Sequence, residues 1–529
     1  MNIRLRLVLF LLIVFNISLT SAQKPEFIYG RLLNIISKEP IPFATIRVQN
    51  YALGVISNAD GGFKIPLKYQ TLGDVLEVSS MGYETKIILI SELISNEINI
   101  IYLKEGIIEL EEAVLKARKK RPLGTKRIVR NAINAIPRNY PISSFSTLGY
   151  YRDYQLDKNK YLNLNEAILE VFDGGFDKSD LKTTKVRLYD FRENTDFERN
   201  SVARQPYNYK SGLKVIDNAY LHDFGGNEFT ILRIHDAIRN YEYETYSFVN
   251  RFKYEFLSNH SFKRKQDTYL KGEYLYTIDF KKSYENYLAY GTLYISRKDF
   301  AIHKMEYSLY DRFKSMPKGK TNKHDTGKQL IFEVITEYQR VNTKMFLNYI
   351  SFHNTFMLVE PPKFRTEQFL VDLKKRCFVI KLSGQPEPVS TQRITNYTIK
   401  HNGKKVPIGL IVTGDKEIEV YPRIPQEKED AMFKEISMAT SIVEGISDLL
   451  SIKVKNILDT EGNVLDRPTY GLFDQFREYF VQQVNSSGKG PADSLYMRKN
   501  IPIFKGQPLV KPDGFTDFWM NTPLKTPIN

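Results

Sequence analysis

The feature that most constrains the fold is an alternation of apolar and polar residues through the middle of the chain. Seven stretches share it: 145–154, 161–172, 274–280, 291–295, 300–309, 330–338 and 345–356. A period of two places one face of a β-strand on a core. Because the strands follow one another with short loops, residues 143–380 predict an antiparallel β-rich domain, built as a meander or half-barrel.

Composition supports a mainly β protein of two or three domains. The 529 residues are 42% hydrophobic, and 34 Tyr and 33 Phe accompany a single Trp. Tyr and Phe are enriched in strands. The single cysteine, Cys377, excludes an internal disulfide framework and a cysteine-based zinc site. Its apolar surroundings predict a buried free thiol in a strand.

The first 22 residues have the pattern of a targeting segment. Arg4 and Arg6 precede an apolar run at 7–15, and small residues end at Ala22. We expect cleavage between Ala22 and Gln23, and therefore export. A retained membrane anchor is the alternative, although the run is shorter than the roughly 20 residues that span a bilayer. Since no later run of 18 apolar residues follows, no transmembrane helix is predicted.

The chain is basic, with a net charge of +15, or +13 once the two arginines of the targeting segment are subtracted. An exported protein rarely meets nucleic acid, so we expect no nucleic-acid partner. An envelope protein, a lipid or an anionic glycan fits better. Scattered, solvated lysines are the simpler interpretation, and the run KARKKR at 116–121 is typical of a linker.

Residues 27–103 predict a small β-sandwich of about seven short strands. Apolar and polar residues alternate at 44–48, and NADGG at 58–62 is a tight turn in which glycine supplies positive φ. The motifs PIPFATI at 40–46, SNADGGF at 57–63 and SSMGY at 79–83 follow in order. In these motifs the segment closely resembles the carboxypeptidase-regulatory-like, transthyretin-like domain.

That resemblance implies a sandwich over residues 23–104 and an address in the envelope of a Gram-negative bacterium, either the periplasm or the outer membrane. The domain is common in exported Bacteroidetes proteins, where it is an accessory module, so it implies no peptidase activity. The segment LEEAVL at 110–115 is similar to the stretch that follows the domain in TonB-dependent receptors of that group.

The remaining segments mix helices with extended chain. Residues 105–142 form a charged linker with an amphipathic helix over 125–136, which we expect Pro137 to end. Residues 381–529 form a mixed region, in which apolar spacing predicts helices at 428–450 and 473–484. The final stretch is rich in proline and should run extended over the surface.

Two further resemblances concern the β-rich region. YYRD at 150–153, followed by Tyr161 and by Glu166-Ala167, resembles a pattern of uncharacterised Bacteroidetes envelope proteins that carry the same N-terminal domain; Asp153 replaces their usual Glu. Residues 291–306 resemble the curved half-barrel of periplasmic lipoprotein carriers. Neither resemblance implies a reaction.

Six residues are candidates for a binding site: Tyr150, Tyr151, Arg152, Glu166, His222 and His235. Tyrosine offers an apolar face with a polar tip, which suits glycans or lipid chains. The alternative is that tyrosine fills half-buried sheet positions. His222 and His235 each precede an aspartate, and the fold would have to bring the two pairs together to form one polar site.

We predict no catalytic residue, metal site or cofactor. His303 and Glu306 match a zinc-ligand spacing, with His401 downstream, but residues three apart in a strand point to opposite faces. Ser447 follows Gly445 without the second glycine of a nucleophile elbow. Burial of Cys377 would oppose thiolate formation.

The sequence therefore predicts an exported, non-enzymatic protein of the cell envelope, peripheral to a membrane or associated with the outer membrane. Its sandwich would serve as a docking or spacer module, and its larger curved sheet would bind a partner. Two alternatives remain open: an envelope hydrolase with an unidentified site, and a small outer-membrane β-barrel.

Overall fold

The computed structural model describes residues 27–49, 53–106, 123–157, 160–204, 214–215, 227–244, 251–316, 324, 326–439, 449–512, 515 and 518–524. The targeting segment with its cleavage site at Ala22 and Gln23, the basic run at 116–121, His222 and Ser447 lie outside these residues. Among the residues that the structure describes, every helix is too short or too polar to cross a bilayer.

The N-terminal domain has the predicted sandwich of seven strands. These are β1 (Phe27–Asn34), β2 (Thr45–Val48), β3 (Leu53–Ile56), β4 (Gly62–Pro66), β5 (Val75–Ser79), β6 (Lys86–Leu89) and β7 (Ile98–Leu103), with helix α1 (Lys68–Thr71). One sheet has the order β4-β1-β7, in which β1 and β7 are parallel, and the other has the order β3-β2-β5-β6. Gly61 makes the predicted turn at φ 74°, where a Cβ would lie 2.4 Å from the Leu32 carbonyl oxygen.

The region that contains the large sheet is built mainly of strands, as predicted. Its strands are β8 (Phe145–Asp157), β9 (Lys160–Asp173), β10 (Lys185–Glu193), β11 (Lys214–Val215), β12 (Ser261–Arg264), β13 (Thr268–Leu270), β14 (Glu273–Ser283), β15 (Tyr287–Ser296), β16 (Ile302–Ser315), β17 (Lys328–Val341), β18 (Lys344–Glu360) and β26 (Thr469–Asn485). The order is β10-β9-β8-β26-β18-β17-β16-β15-β14-β12, while β11 pairs with β18 and β13 with β14. From β14 to β18 the chain is the predicted antiparallel meander.

Helices accompany the large sheet. They are α2 (Thr125–Asn134), α3 (Ile136–Asn139), α4 (Asp180–Thr183), α5 (Glu228–Ile234) and α6 (Phe256–Asn259). The helix predicted over 125–136 is confirmed as α2, which buries Ile128, Val129, Ala132 and Ile133. Helix α2 ends at Asn134, before Pro137. Pro137 lies in the first turn of the next helix, α3, where a backbone N–H has no partner within the helix and its absence therefore costs nothing.

The helix predicted over 473–484 is wrong, because these residues form strand β26. Strand β26 pairs antiparallel with β8, from Asp474 opposite Leu156 to Asn485 opposite Ser146. Residues 477–482 are buried on both faces of the sheet. A strand buried on both faces loses the alternation that marks a half-exposed strand, so its apolar spacing matched a helix by chance.

The chain divides into two compact units. Of the described residues, the first unit contains those up to 204, those from 227 to 356 and those from 473 onward, and the second contains 214–215, 357–439 and 449–472. The domain boundaries predicted at 142/143 and 380/381 stay a prediction. The first unit is discontinuous in sequence because β26 returns to pair with β8, more than 300 residues earlier. Local sequence carries no signal for a pairing at that separation.

The second unit has its own core between small sheets and a helix. Its elements are β19 (Thr366–Asp372), β20 (Cys377–Leu382), α7 (Pro388–Thr391), β21 (Tyr397–His401), β22 (Lys404–Lys405), β23 (Ile408–Thr413), β24 (Glu417–Pro422), α8 (Gln426–Ala439) and β25 (Leu450–Val454). The sheets have the orders β19-β20-β24-β23 and β22-β21-β25. Cys377 is a buried free thiol in β20, as predicted.

Candidate functional site

The candidate residues on β8 are divided between the two faces of the sheet. Tyr150 and Arg152 point to the face on which the N-terminal domain and the C-terminal tail (described residues 515 and 518–524) pack, whereas Tyr151 and Asp153 point to the face covered by α5. All four are at most 5% exposed. The alternation along β8 therefore separates two polar networks rather than a core face from a solvent face.

Arg152 joins three parts of the chain. Its Nε donates to Glu478 of β26, and its Nη1 donates to Asn58 of the N-terminal domain and, at 3.4 Å, to the carbonyl oxygen of Asn521 in the tail. Tyr349 donates to Glu478 Oε1 at 3.0 Å. Burial alone would lower the pKa of Arg152, but Glu478 and nearby tyrosines hold it above its ordinary value. The guanidinium therefore stays charged and paired.

Glu166 belongs to the same network. Tyr150 donates to Glu166 Oε1 at 2.6 Å, and Asn194 Nδ2 donates to Oε2 at 2.8 Å. Burial, followed by the Glu166 charge, raises the pKa of Tyr150 well above its ordinary value, so the hydroxyl remains a donor. The void beside Arg152 and Glu478 measures about 10 Å³, which holds one water molecule at most. Tyr150, Arg152 and Glu166 thus meet in a sealed network.

The opposite face of β8 holds a buried acid. Asp153 accepts from Tyr151 at 3.0 Å and from Asn165 at 2.8 Å. Burial and the nearby Glu228 raise the pKa of Asp153 to about 7. Glu228 is itself paired with Arg477. This face is also packed, with Tyr151 against Phe229 of α5 at a centroid distance of 5.5 Å.

His235 is a core histidine. Its Nδ1 lies 2.7 Å from the Ile231 carbonyl oxygen, and its ring packs against Phe332 and Phe352. Burial lowers the pKa of His235 to about 4, so the ring is neutral at pH 7. The predicted pairing with His222 stays a prediction, since His222 is outside the described residues. The neighbouring Asp236 instead accepts from the Tyr338 hydroxyl at 2.6 Å.

A cleft that sequence reasoning missed lies between the N-terminal domain and the large sheet. Its volume is about 270 Å³. The N-terminal domain contributes Phe43, Thr45, Ser79 and Ser80 to its lining. The sheet contributes Leu270, Lys271, Glu273, His303, Glu337, Tyr338, Gln339, Arg340 and Asn348. Among the candidate features, the SSMGY motif and His303 both border this space, but only the folded chain brings them together.

The charged groups of the cleft are held in fixed positions by their neighbours. Glu273 accepts from Ser296, and its Oε2 lies 3.4 Å from His303 Nε2. The interaction with His303, more than that with Ser296, lowers the pKa of Glu273 to about 2. Arg340 pairs with Asp299 at 2.7 Å. The lining therefore carries charged groups of both signs that their neighbours hold in place.

Asn348, in the lining of the cleft, bonds to both the N-terminal domain and the sheet. Its Nδ2 donates to Thr45 at 3.0 Å and to Glu337 at 2.9 Å, while its Oδ1 accepts from Arg47 at 2.8 Å. Arg47 also reaches the Val481 carbonyl oxygen at 3.3 Å. Burial lowers the pKa of Arg47 to about 10, against the charges of Glu77 and Glu337. These bonds fix the N-terminal domain against the sheet.

The residues considered for zinc do not meet. His303 faces Glu273, Glu306 pairs with Lys304 at 2.7 Å, and His401 pairs with Glu435 at 3.1 Å in the second unit. Within the described ranges, no three His, Cys, Asp or Glu side chains converge as metal ligands.

The comparisons with known proteins identify one domain. Residues 28–115 match the family model of the CarboxypepD_reg-like domain, which agrees with the motifs at 40–83. No curated protein matches the chain. Two solved structures are similar at 10% identity, each over 44% of this chain and 86% of its own length. They are a LolA superfamily protein from Nitrosomonas europaea (TM-score 0.19) and a domain from Vibrio parahaemolyticus described as outer membrane lipoprotein-sorting (TM-score 0.20). TM-scores this low do not show that this chain shares the fold of either structure. The N-terminal segment of the chain is thus similar to the CarboxypepD_reg-like domain.

Proposed function

We propose that the chain is an exported, non-enzymatic binding protein of the cell envelope, and that its ligand enters the cleft between the N-terminal domain and the large sheet. The targeting pattern of residues 1–22 supports export. The observation that carries the proposal is the cleft itself, which is lined from both sides. Concave sites with a few fixed polar groups are where small ligands bind.

The lining favours a ligand rich in hydroxyl groups, such as one unit of a glycan. Gln339, Glu337 and Arg340 offer planar donors and acceptors, and Ser80 offers a hydroxyl. Phe43 supplies an apolar wall of the kind on which the C–H face of a sugar packs. An acyl chain would desolvate these polar groups without pairing them, which costs free energy. A glycan is therefore the better fit among the predicted partners.

The N-terminal domain would serve as a fixed wall of this site rather than as a free spacer. Arg47 and Arg152 bond across the junction, and Trp519 of the tail is buried in the core of the N-terminal domain. The Trp519 indole N–H donates to the Lys64 carbonyl oxygen at 2.9 Å. A wall held this firmly costs little conformational entropy when a ligand binds.

The test uses the chain from Gln23 onward and oligosaccharides released from the envelope of its host. Binding would be followed by saturation-transfer NMR. Ser80→Phe should fill the cleft and abolish the signal, whereas Ser91→Phe, at an exposed position of the same domain, should leave it intact. The thermal midpoint of both variants serves as a folding control. Binding that survives Ser80→Phe, or no binding in wild type, would contradict the proposal.

A hydrolase is the second candidate, because Glu273 orients His303 at the edge of the cleft and two serines line the same space. An imidazole beside a carboxylate is the usual general base for a hydroxyl nucleophile. The His303 side chain is only 9% exposed, which argues against access to substrate. Turnover of a p-nitrophenyl ester by wild type that His303→Gln abolishes would favour this candidate.

A further inference from the structure

The C-terminal tail covers the edge of the N-terminal sandwich at which β3 and β4 lie. Among the described residues, β3 and β4 are terminal strands of their two sheets, and a terminal strand has backbone groups without a neighbouring strand on one side. Asn521 of the tail bonds to both. Its Nδ2 donates to the Ile56 carbonyl oxygen at 2.7 Å, and its Oδ1 accepts from the Lys64 N–H at 2.9 Å. Because a carboxamide has the donor and acceptor of a peptide group, Asn521 takes the place of a neighbouring strand.

Trp519 fills a pocket beside this edge. Its indole N–H donates to the Lys64 carbonyl oxygen at 2.9 Å, and its ring lies 6.0 Å from the Tyr69 ring. In the described core of the N-terminal domain, Trp519 is the one buried side chain that comes from outside residues 28–103. The domain therefore builds nearly all of its own core and leaves a pocket for one large side chain. We call the surface formed by Ile56, Lys64 and Tyr69 the tail slot.

The tail is held in the manner of a bound peptide. Its main chain is fixed by Gln482, whose Nε2 donates to the Trp519 carbonyl oxygen at 3.0 Å. Alternate side chains face opposite ways: Trp519 and Asn521 enter the N-terminal domain, whereas Met520 packs against the aromatic cluster around Tyr150 on the large sheet. When proteins recognise extended peptides, main-chain bonds supply affinity and pockets for alternate side chains supply specificity.

We propose that the tail slot is a binding site for an extended peptide, and that its ligand is the chain's own tail, recognised through an indole and a carboxamide two residues apart. The tail binds in cis at a high effective concentration, so a free peptide can enter only when the tail is released. Ile56, Lys64 and Tyr69 are not among the described residues that line the cleft. The proposal therefore does not rest on the function assigned to the cleft.

The test releases the tail from the intact chain. A protease site is inserted between Lys511 and Pro512, which are both exposed, and both fragments are kept together after cleavage. A fluorescein-labelled peptide of residues 512–529 is then added, and its binding is followed by fluorescence anisotropy. The cleaved protein should exchange its own tail for the peptide, whereas the uncleaved protein should not bind it.

Unlabelled peptides test the two recognition groups as competitors. Peptides with Trp519→Ala or Asn521→Ala should compete at least roughly tenfold more weakly than the wild-type peptide, because each substitution leaves a buried backbone group of Lys64 without its partner. Pro512→Ala is the matched control, since Pro512 is exposed, and this peptide should compete as well as wild type.

A second variant covers the case in which cleavage unfolds the N-terminal domain. Uncleaved Trp519→Ala should bind the wild-type peptide, because its slot no longer holds an indole. The proposal is overturned if neither this variant nor the cleaved protein binds the peptide, since the tail would then be part of the fold and not a ligand. It is also overturned if uncleaved wild type binds the peptide equally well, or if the Trp519→Ala and Asn521→Ala peptides compete as well as the control.

Discussion

The junction between the N-terminal domain and the large sheet has two ends, which differ in the volume of the space between the walls and in how completely the charged groups are paired. At the sealed end, around Arg152 and Glu478, every charge has a partner and the void is about 10 Å³. At the open end, the cleft beside Glu273 and His303 measures about 270 Å³. Asn348, which lines the cleft, bonds to both sides of the junction.

This difference indicates which end of the junction stabilises the contact between the two regions and which end can bind a ligand. Buried charges are tolerated only when paired, so the sealed end must be complete for the protein to fold. The open end keeps some of its polar groups, among them Glu337, Gln339 and Arg340, in contact with solvent, which leaves them free to exchange water for a ligand. The same junction can thus supply both rigidity and a site.

The largest expected effect comes from breaking the sealed end. Arg152→Met leaves Glu478 buried without its cation, and we expect a loss of about 3–5 kcal/mol in the free energy of unfolding. Urea denaturation measures it. Adding Glu478→Leu to this variant should recover much of the loss, because the unpaired charge is then gone. If the double variant were less stable than Arg152→Met, the charge pair would not explain the effect.

The tail provides the next test of the sealed end. Trp519 is 5% exposed in the core of the N-terminal domain, so Trp519→Ala should cost about 3 kcal/mol. Trp519→Phe is the matched control, since it keeps a ring in the core, and it should cost less. Circular dichroism during heating measures both. Equal midpoints for wild type and Trp519→Ala would show that the tail does not hold the domain.

The residues around Arg152 also show how much of this site could be predicted from the sequence. The resemblance of YYRD at 150–153 and of Glu166 selects residues from both faces of β8, and three of them, Tyr150, Arg152 and Glu166, lie in one polar network. Their partners could not be predicted, because Asn58, Glu478 and Asn521 are 94, 326 and 369 residues away from Arg152. Helix α2 was predictable, since one face is apolar and the other is exposed.

The cleft could not be predicted for a related physical reason. Its two walls come from chain segments at least 190 residues apart, the separation between Ser80 and Leu270. A space between two segments has no local pattern in either of them. Strand β26 was missed because packing on both faces removes its alternation. Short-range periodicity thus supplied the elements, but the junction depends on long-range pairing.

A third prediction uses pH to compare the two faces of β8. The pKa of Asp153 is raised to about 7 in the folded protein, so its contribution to stability is complete below about pH 4 and is lost as the pH rises through 7. Relative to Asp153→Asn, wild type should lose on the order of 2 kcal/mol between about pH 5.5 and 7, since only the folded state holds the proton over these roughly 1.5 pH units and each unit is worth about 1.4 kcal/mol. Urea midpoints at several pH values measure this. Parallel profiles for the two proteins would contradict the assignment to Asp153.

The smallest effect is expected at the open end, and its sign is opposite. The pKa of Glu273 is lowered to about 2, so its contribution is present above about pH 4.5 and is lost as the pH falls through 2. Because Glu273 is partly exposed, solvent screens the interaction, and Glu273→Gln should cost about 1 kcal/mol or less at pH 7. Acid titration of wild type and variant, followed by circular dichroism, measures the difference. A loss as large as that of Arg152→Met would mean that the open end also holds the junction, and the distinction between a structural end and a binding end would fail.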